Sequence, residues 1–233
     1  AEENYYKNEI LQDRYSSEKE LYNALPFPDK LSCSIDLATG TGKSYVMYGI
    51  AQILLCEGVV DRVLVLCPSL TIEDGLTEKF KDLSSSKALK EVLPKGSKSK
   101  NPGVVNGSQT VNKGDICIEN IHAVYQNNKS SIRDSFENKG DKTLVLSDEA
   151  HHIYSPVNKD LKKWENFLAD SQFNFKYLVG LSGTCYIKDE YFSNVIYRYS
   201  LKKAIEEKQV KDIQYVFEDQ TKNLNEDTKF QEV

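Results

Sequence analysis

The 233 residues suffice for one generous domain with a sizeable core. A hydrophobic share of 39% and a charged share of 28% are ordinary for a globular protein, and no apolar run nears the roughly 20 residues that cross a bilayer. The net charge of -5 excludes a protein that grips nucleic acid by overall electrostatics, while leaving room for local phosphate contacts.

Residues 1–28 read as a helical lead-in, and the polar, acidic start lacks the basic-then-apolar order of a secretory signal. A cytoplasmic protein without membrane attachment is therefore expected. Apolar runs bounded by turn residues then predict strands at Cys33 to Leu37, Arg62 to Cys67, Ile116 to Glu119, Thr143 to Ser147 and Lys176 to Leu181. Helical patterns fall at Lys43 to Cys56, Thr71 to Leu83, Leu161 to Ala169 and Leu201 to Glu207, with Ser200 as an N-cap. Alternating strands and helices predict an α/β fold with a mainly parallel sheet and helices on both faces. Between Ser84 and Lys113 the composition turns to Ser, Lys, Gly and Asn, which reads as a surface excursion with one short strand at Gly103 to Val105. Residues 218–233 read as a polar tail or the start of a connection. The five cysteines form no C-x-x-C pair and sit mostly in strand-like runs, so they read as small buried hydrophobes rather than zinc ligands or disulfides.

The sharpest local signal is Ala38-Thr39-Gly40-Thr41-Gly42-Lys43-Ser44 between a strand and a helix. Such a loop binds phosphates because glycines free consecutive backbone N–H groups to converge at a helix N-terminus. Thr39, Gly40, Thr41, Gly42, Lys43 and Ser44 are the candidate nucleotide contacts. Lys43 would reach the β- and γ-phosphates of ATP and Ser44 would hold Mg²⁺. The general pattern has a glycine six residues before the lysine, where this chain has Leu37.

A nucleotide hydrolase also needs a carboxylate for the metal and a group to activate water. The run Leu144-Val145-Leu146-Ser147 delivers Asp148 and Glu149 at a strand's carboxyl end, where open α/β sheets bind ligands. Asp148 is the metal-side candidate and Glu149 the general base. The sequence continues Ala150-His151, and a later apolar strand ends in Ser182-Gly183-Thr184.

With these motifs in this order, the chain resembles the superfamily 2 helicases and translocases: Asp148-Glu149-Ala150-His151 is similar to their motif II and Ser182-Gly183-Thr184 to motif III. Ala-Thr-Gly-Thr-Gly-Lys-Ser without the early glycine, His152 after the acidic motif, and Tyr199-Ser200-Leu201 with Ala204-Ile205 resemble the restriction-enzyme branch, type III Res subunits most of all. The resemblance implies a RecA-like ATPase domain over 29–217 that couples Mg-ATP hydrolysis to movement on double-stranded DNA, with slow turnover expected of this stretch alone. It implies that His151 couples the ATP site to Ser182 and Thr184, and that Pro68 and Ser69 touch the nucleic-acid backbone. Glu119-Asn120-Ile121-His122 takes the place of a further backbone-contacting motif, but Glu119 would repel phosphate. Gln12 lacks the surroundings of an adenine-reading glutamine. The resemblance further implies a second RecA-like domain and a nuclease domain, for which the residues after Ile213 are too few, and a methyltransferase or specificity subunit as partner. The alternatives are a nucleotide-gated interaction module without productive hydrolysis and a DNA-repair helicase domain.

Overall fold

The computed structural model describes residues 2–7, 9–94, 96–97, 100–122, 131–153, 159–187 and 190–211; the expected tail at 218–233 lies outside them. Three short helices open the chain, α1 (Glu2–Lys7), α2 (Glu9–Arg14) and α3 (Glu18–Asn23). They pack around Tyr5, Leu11, Tyr15 and Leu21 as a cluster of their own.

Strand β1 (Leu31–Leu37) leads into helix α4 (Lys43–Cys56), followed by β2 (Arg62–Cys67), α5 (Leu70–Ser85), α6 (Lys87–Val92), β3 (Val104–Asn106) and β4 (Ile116–Asn120). Helix α7 (Ile132–Phe136), β5 (Thr143–Asp148), α8 (Lys159–Ala169), β6 (Tyr177–Ser182), the hairpin β7 (Tyr186–Ile187) and β8 (Glu190–Tyr191), β9 (Val195–Tyr199) and α9 (Leu201–Glu206) complete the described order. Among the described residues one seven-stranded sheet runs β3-β4-β2-β5-β6-β1-β9, parallel at every junction.

Both faces of this sheet are covered, which is why its central strands are apolar throughout. Successive side chains of a strand point to opposite faces. Leu64, Leu66 and Val145 accordingly pack with Trp164, Phe136 and Phe175 on one side. Val63, Val65, Leu144 and Leu146 meet Met47, Ala51 and Phe80 on the other. Helix α4 docks there through Met47, Tyr48, Ala51, Gln52 and Leu55, a stripe at helical spacing.

The stretch expected to be mostly loop after Ser84 contains α6, whose first turn is capped by Ser86 Oγ accepting from the Leu89 N–H (3.4 Å). None of its residues is buried, so no apolar stripe marked it. Strand β9 was not anticipated as a strand either: it is a sheet edge on which Ile196, Tyr197 and Arg198 are all exposed, which erases the alternation that identifies half-buried strands. The remaining anticipated elements differ from the observed ones only at their ends, as at α5, which extends to Ser85, and β6, which begins at Tyr177 rather than Lys176.

Candidate functional site

Parallel pairing aligns the strand ends that carry the sequence motifs. Asp36 pairs with Ser182 and Asp148 with Leu181, so the residues after β1, β5 and β6 emerge along one edge of the sheet. Gly40 (φ 82°) and Gly42 (φ 92°) turn the chain from β1 into α4 through the left-handed region that a Cβ disfavours. The Thr41 N–H and hydroxyl both donate to the Ala38 carbonyl, at 3.3 and 2.6 Å, which closes the loop below the helix. Lys43 and Ser44 are the first two residues of α4, where backbone N–H groups have no partner inside the helix.

The acidic motif lies against this loop. Asp148 is buried at the end of β5, and its Oδ1 has no hydrogen-bond partner among the described residues, with Lys43 Nζ 3.7 Å away. Burial raises its pKa, the Lys43 charge opposing. Glu149 sits in the left-handed region at φ 51° and ψ 50°, a conformation that costs a non-glycine residue about 1–3 kcal/mol. That turn brings its carboxylate onto the Lys43 ammonium. The hydrogen bond to His151, and next the bond and charge of Lys43, hold the Glu149 pKa down at about 2 against the effect of burial. Gly180 on β6 makes room for the turn, because a Cβ there would stand 2.6 Å from the Ala150 Cβ.

His151 continues the network. Its Nδ1 lies 2.9 Å from Ser182 Oγ, 3.2 Å from Thr184 Oγ1 and 3.4 Å from Glu149 Oε2. The Thr184 N–H in turn donates to Ser182 Oγ at 3.0 Å. Lys43, Asp148, Glu149, His151, Ser182 and Thr184 therefore form one contiguous set across three strand ends. The arrangement suits a magnesium nucleotide: hard oxygen donors from Asp148 and Ser44, a buried carboxylate oxygen without a hydrogen-bond donor, and a glycine cradle beside a lysine.

Other anticipated residues lie apart. Pro68 and Ser69 follow β2, separated from β1 in the sheet by β5 and β6. Ser69 caps α5, its Oγ accepting from the Ile72 N–H at 3.4 Å. Glu119 does not face a backbone phosphate: it is turned inward and buried, and its Oε2 accepts from the Gly107 N–H at 2.6 Å. Burial and the nearby Glu73 push its pKa up to about 7. The backbone N–H and side-chain amide of Asn120 donate to Glu73 Oε2 at 3.1 and 2.7 Å. The Gln12 amide donates to the Tyr5 and Tyr6 carbonyls at 3.0 and 3.2 Å, tying α2 to α1.

Sequence reasoning missed a cluster beside the phosphate loop. Asp36 is buried on β1 and its Oδ2 accepts from the Tyr191 hydroxyl at 2.8 Å, with Arg198 Nε at 3.2 Å. Burial and then the bond to Asp36 push the Tyr191 pKa up. The signal that could have found it is an aspartate inside an apolar strand, since a buried charge requires partners.

Fold and site together define a helicase-like ATP-binding motor domain of the RecA-like α/β class. Residues 4–187 match the model of the type III restriction enzyme res subunit family, and since that is most of the 233 residues, the chain belongs to this family. Among solved structures, the Hef helicase domain of Pyrococcus furiosus is similar at a TM-score of 0.52 and 17% identity, over 84% of this chain and 40% of that one. The UvsW helicase from bacteriophage T4 is similar at 0.44 and 15%, over 77% of this chain and 58% of that one. The chain thus spans less than two thirds of either structure. No curated protein matches it. Among the described residues, no helix is long and apolar enough to cross a membrane.

Proposed function

We propose that this chain hydrolyses ATP as the first motor domain of a DNA translocase of the restriction type, coupling hydrolysis to movement along duplex DNA. The observation that carries the reading is the unbroken path from Lys43 through Glu149 and His151 to Ser182 and Thr184. A bare phosphate-binding protein has no need to join its nucleotide loop to the end of a neighbouring strand.

Ser44 and Asp148 would hold Mg²⁺, which when bound neutralises charge on the phosphate oxygens. Lys43 binds Glu149, so reaching a phosphate requires it to exchange one oxygen partner for another. That exchange removes part of what depresses the Glu149 pKa, leaving the carboxylate a stronger base for the proton of an attacking water. His151 would keep Glu149 oriented and pass its displacement to Ser182 and Thr184, where a second motor domain would respond. Pro68 and Ser69 would contact the DNA backbone. A second RecA-like domain, a nuclease and a methyltransferase or specificity subunit are the partners proposed for the whole protein, and cytoplasmic DNA its setting.

The test is Mg²⁺-dependent ATP turnover of the full-length protein with and without duplex DNA. Glu149→Gln should lower DNA-stimulated turnover by about 10²–10⁴-fold, the usual contribution of a general base, while ATP binding persists. Unchanged stimulated turnover in that variant would reject Glu149 as the general base, whereas ATP binding without DNA-stimulated turnover in the unmodified protein would reject the motor in favour of a nucleotide-gated interaction module.

A further inference from the structure

A cavity of about 270 Å³ opens beside the phosphate loop, bounded by Asp36, Thr39, Tyr186, Arg198, Tyr199 and Leu201. Pockets for drug-sized ligands span about 300–1,000 Å³, so this one suits a single planar group rather than a whole nucleotide. Its position follows from the sheet order β5-β6-β1-β9. Asp148 and Glu149 stand at the β5 end, on one side of the glycine loop, whereas Arg198 and Tyr199 come from β9 on the other. A triphosphate lying across Gly40 to Ser44 with its terminal phosphate toward the carboxylates sends its other end toward the cavity.

The lining is built for a flat, polarisable ring. Tyr186 is 45% exposed and its ring lies 4.9 Å from that of Tyr191, centroid to centroid. The Arg198 guanidinium sits 5.4 Å from the centre of the Tyr191 ring, with Nε 3.2 Å from Asp36 Oδ2. Buried Asp36 thereby fixes Arg198 and Tyr191 in place together, while the two terminal guanidinium nitrogens make no hydrogen bond among the described residues. Aromatic faces and guanidinium planes are the usual stacking surfaces for nucleobases. The Gln12 amide, by contrast, is committed to backbone carbonyls.

We infer that this cavity receives the base of the bound nucleotide, stacked against Tyr186 and Arg198 beside Thr39. The inference rests on the reading that the glycine loop binds the phosphates of ATP.

Titration calorimetry with MgATP and with magnesium tripolyphosphate, which carries no base, separates the two. The 233-residue chain should bind ATP at least about tenfold more tightly than tripolyphosphate. Tyr186→Ala should remove about tenfold of the ATP affinity and leave tripolyphosphate unchanged, while Tyr186→Phe, which keeps the ring, should restore ATP binding. Leu201→Trp, a substitution at an exposed helix start, should fill the cavity and have the same selective effect. Equal affinities for the two ligands in the unmodified chain would overturn the inference, as would unchanged ATP affinity in both Tyr186→Ala and Leu201→Trp. If Lys43→Ala abolishes ATP binding in those same experiments, the phosphate-loop reading survives and only the base pocket fails. If neither ligand binds, both fall.

Discussion

Two acidic clusters stand at the carboxyl edge of the same sheet, and their environments drive them in opposite directions. At the end of β5, Asp148 and Glu149 face the Lys43 ammonium, and Glu149 also meets His151. At the end of β4, Glu119 is close to Glu73, and among the described residues no cation pairs with either and the donors that reach them are the N–H groups of Gly107 and Asn120. Glu149 is held well below the ordinary carboxylate range, whereas Glu119 is pushed up to about 7. Adjacent acids at a strand end are thus not a site by themselves. His151 and Lys43 together hold Glu149 toward its charged form, whereas burial and the nearby Glu73 push Glu119 the other way.

The largest expected effect comes from removing that lysine. Lys43→Ala leaves Asp148 and Glu149 without their ammonium partner, with His151 still beside Glu149, and should weaken ATP binding by about 100-fold, the cost of a charge-assisted contact to phosphate. Calorimetry checks it, and an affinity within threefold of the original would contradict the comparison.

The pH response of stability is the next. Glu119 has its folded pKa raised from 4.5 to about 7, so its contribution is fully present below 4.5 and declines as pH rises through 7. Glu149 has its pKa lowered from 4.5 to about 2, so its contribution is present above 4.5 and is lost as pH falls toward 2. Glu119→Gln keeps an acceptor for the Gly107 N–H and can donate to Glu73. It should stabilise the protein by about 1 kcal/mol at pH 8, a rise of roughly 2–4 °C in melting temperature, with little change at pH 4. A melting curve whose decline between pH 5 and 8 matches that of the unmodified protein would show that Glu119 is not the responsible group.

The smallest effect concerns the helix that carries Glu73. Ser69→Ala removes the cap of α5 and should cost about 1 kcal/mol in chemical denaturation. ATP affinity should be unaffected, because Ser69 lies outside the Lys43 network. A change in ATP affinity larger than the loss of stability would place the two clusters in one coupled unit.

Much of this site was legible in the residues alone. Gly40 and Gly42 announce a backbone that needs positive φ, and strands such as Arg62–Cys67 and Thr143–Asp148 are apolar on both faces because helices cover both. Chemistry-bearing side chains at strand ends follow from those two patterns, which is why Lys43, Asp148 and Glu149 could be named in advance, while the roles of His151, Ser182 and Thr184 came from the family resemblance. Other features depend on what surrounds a residue rather than on its type. Helix α6 and edge strand β9 carry no apolar periodicity, so their sequences do not distinguish them from loop. Glu119 reads in sequence as a surface charge, and only the fold turns it inward against Glu73. Asp36 acquires Tyr191 and Arg198 as partners from positions more than 150 residues away. The local pattern determined the phosphate loop and the acidic motif because both are short-range backbone and strand-end devices; tertiary structure alone decided which acids meet a cation and which cavity adjoins the loop, because those depend on contacts across the sheet.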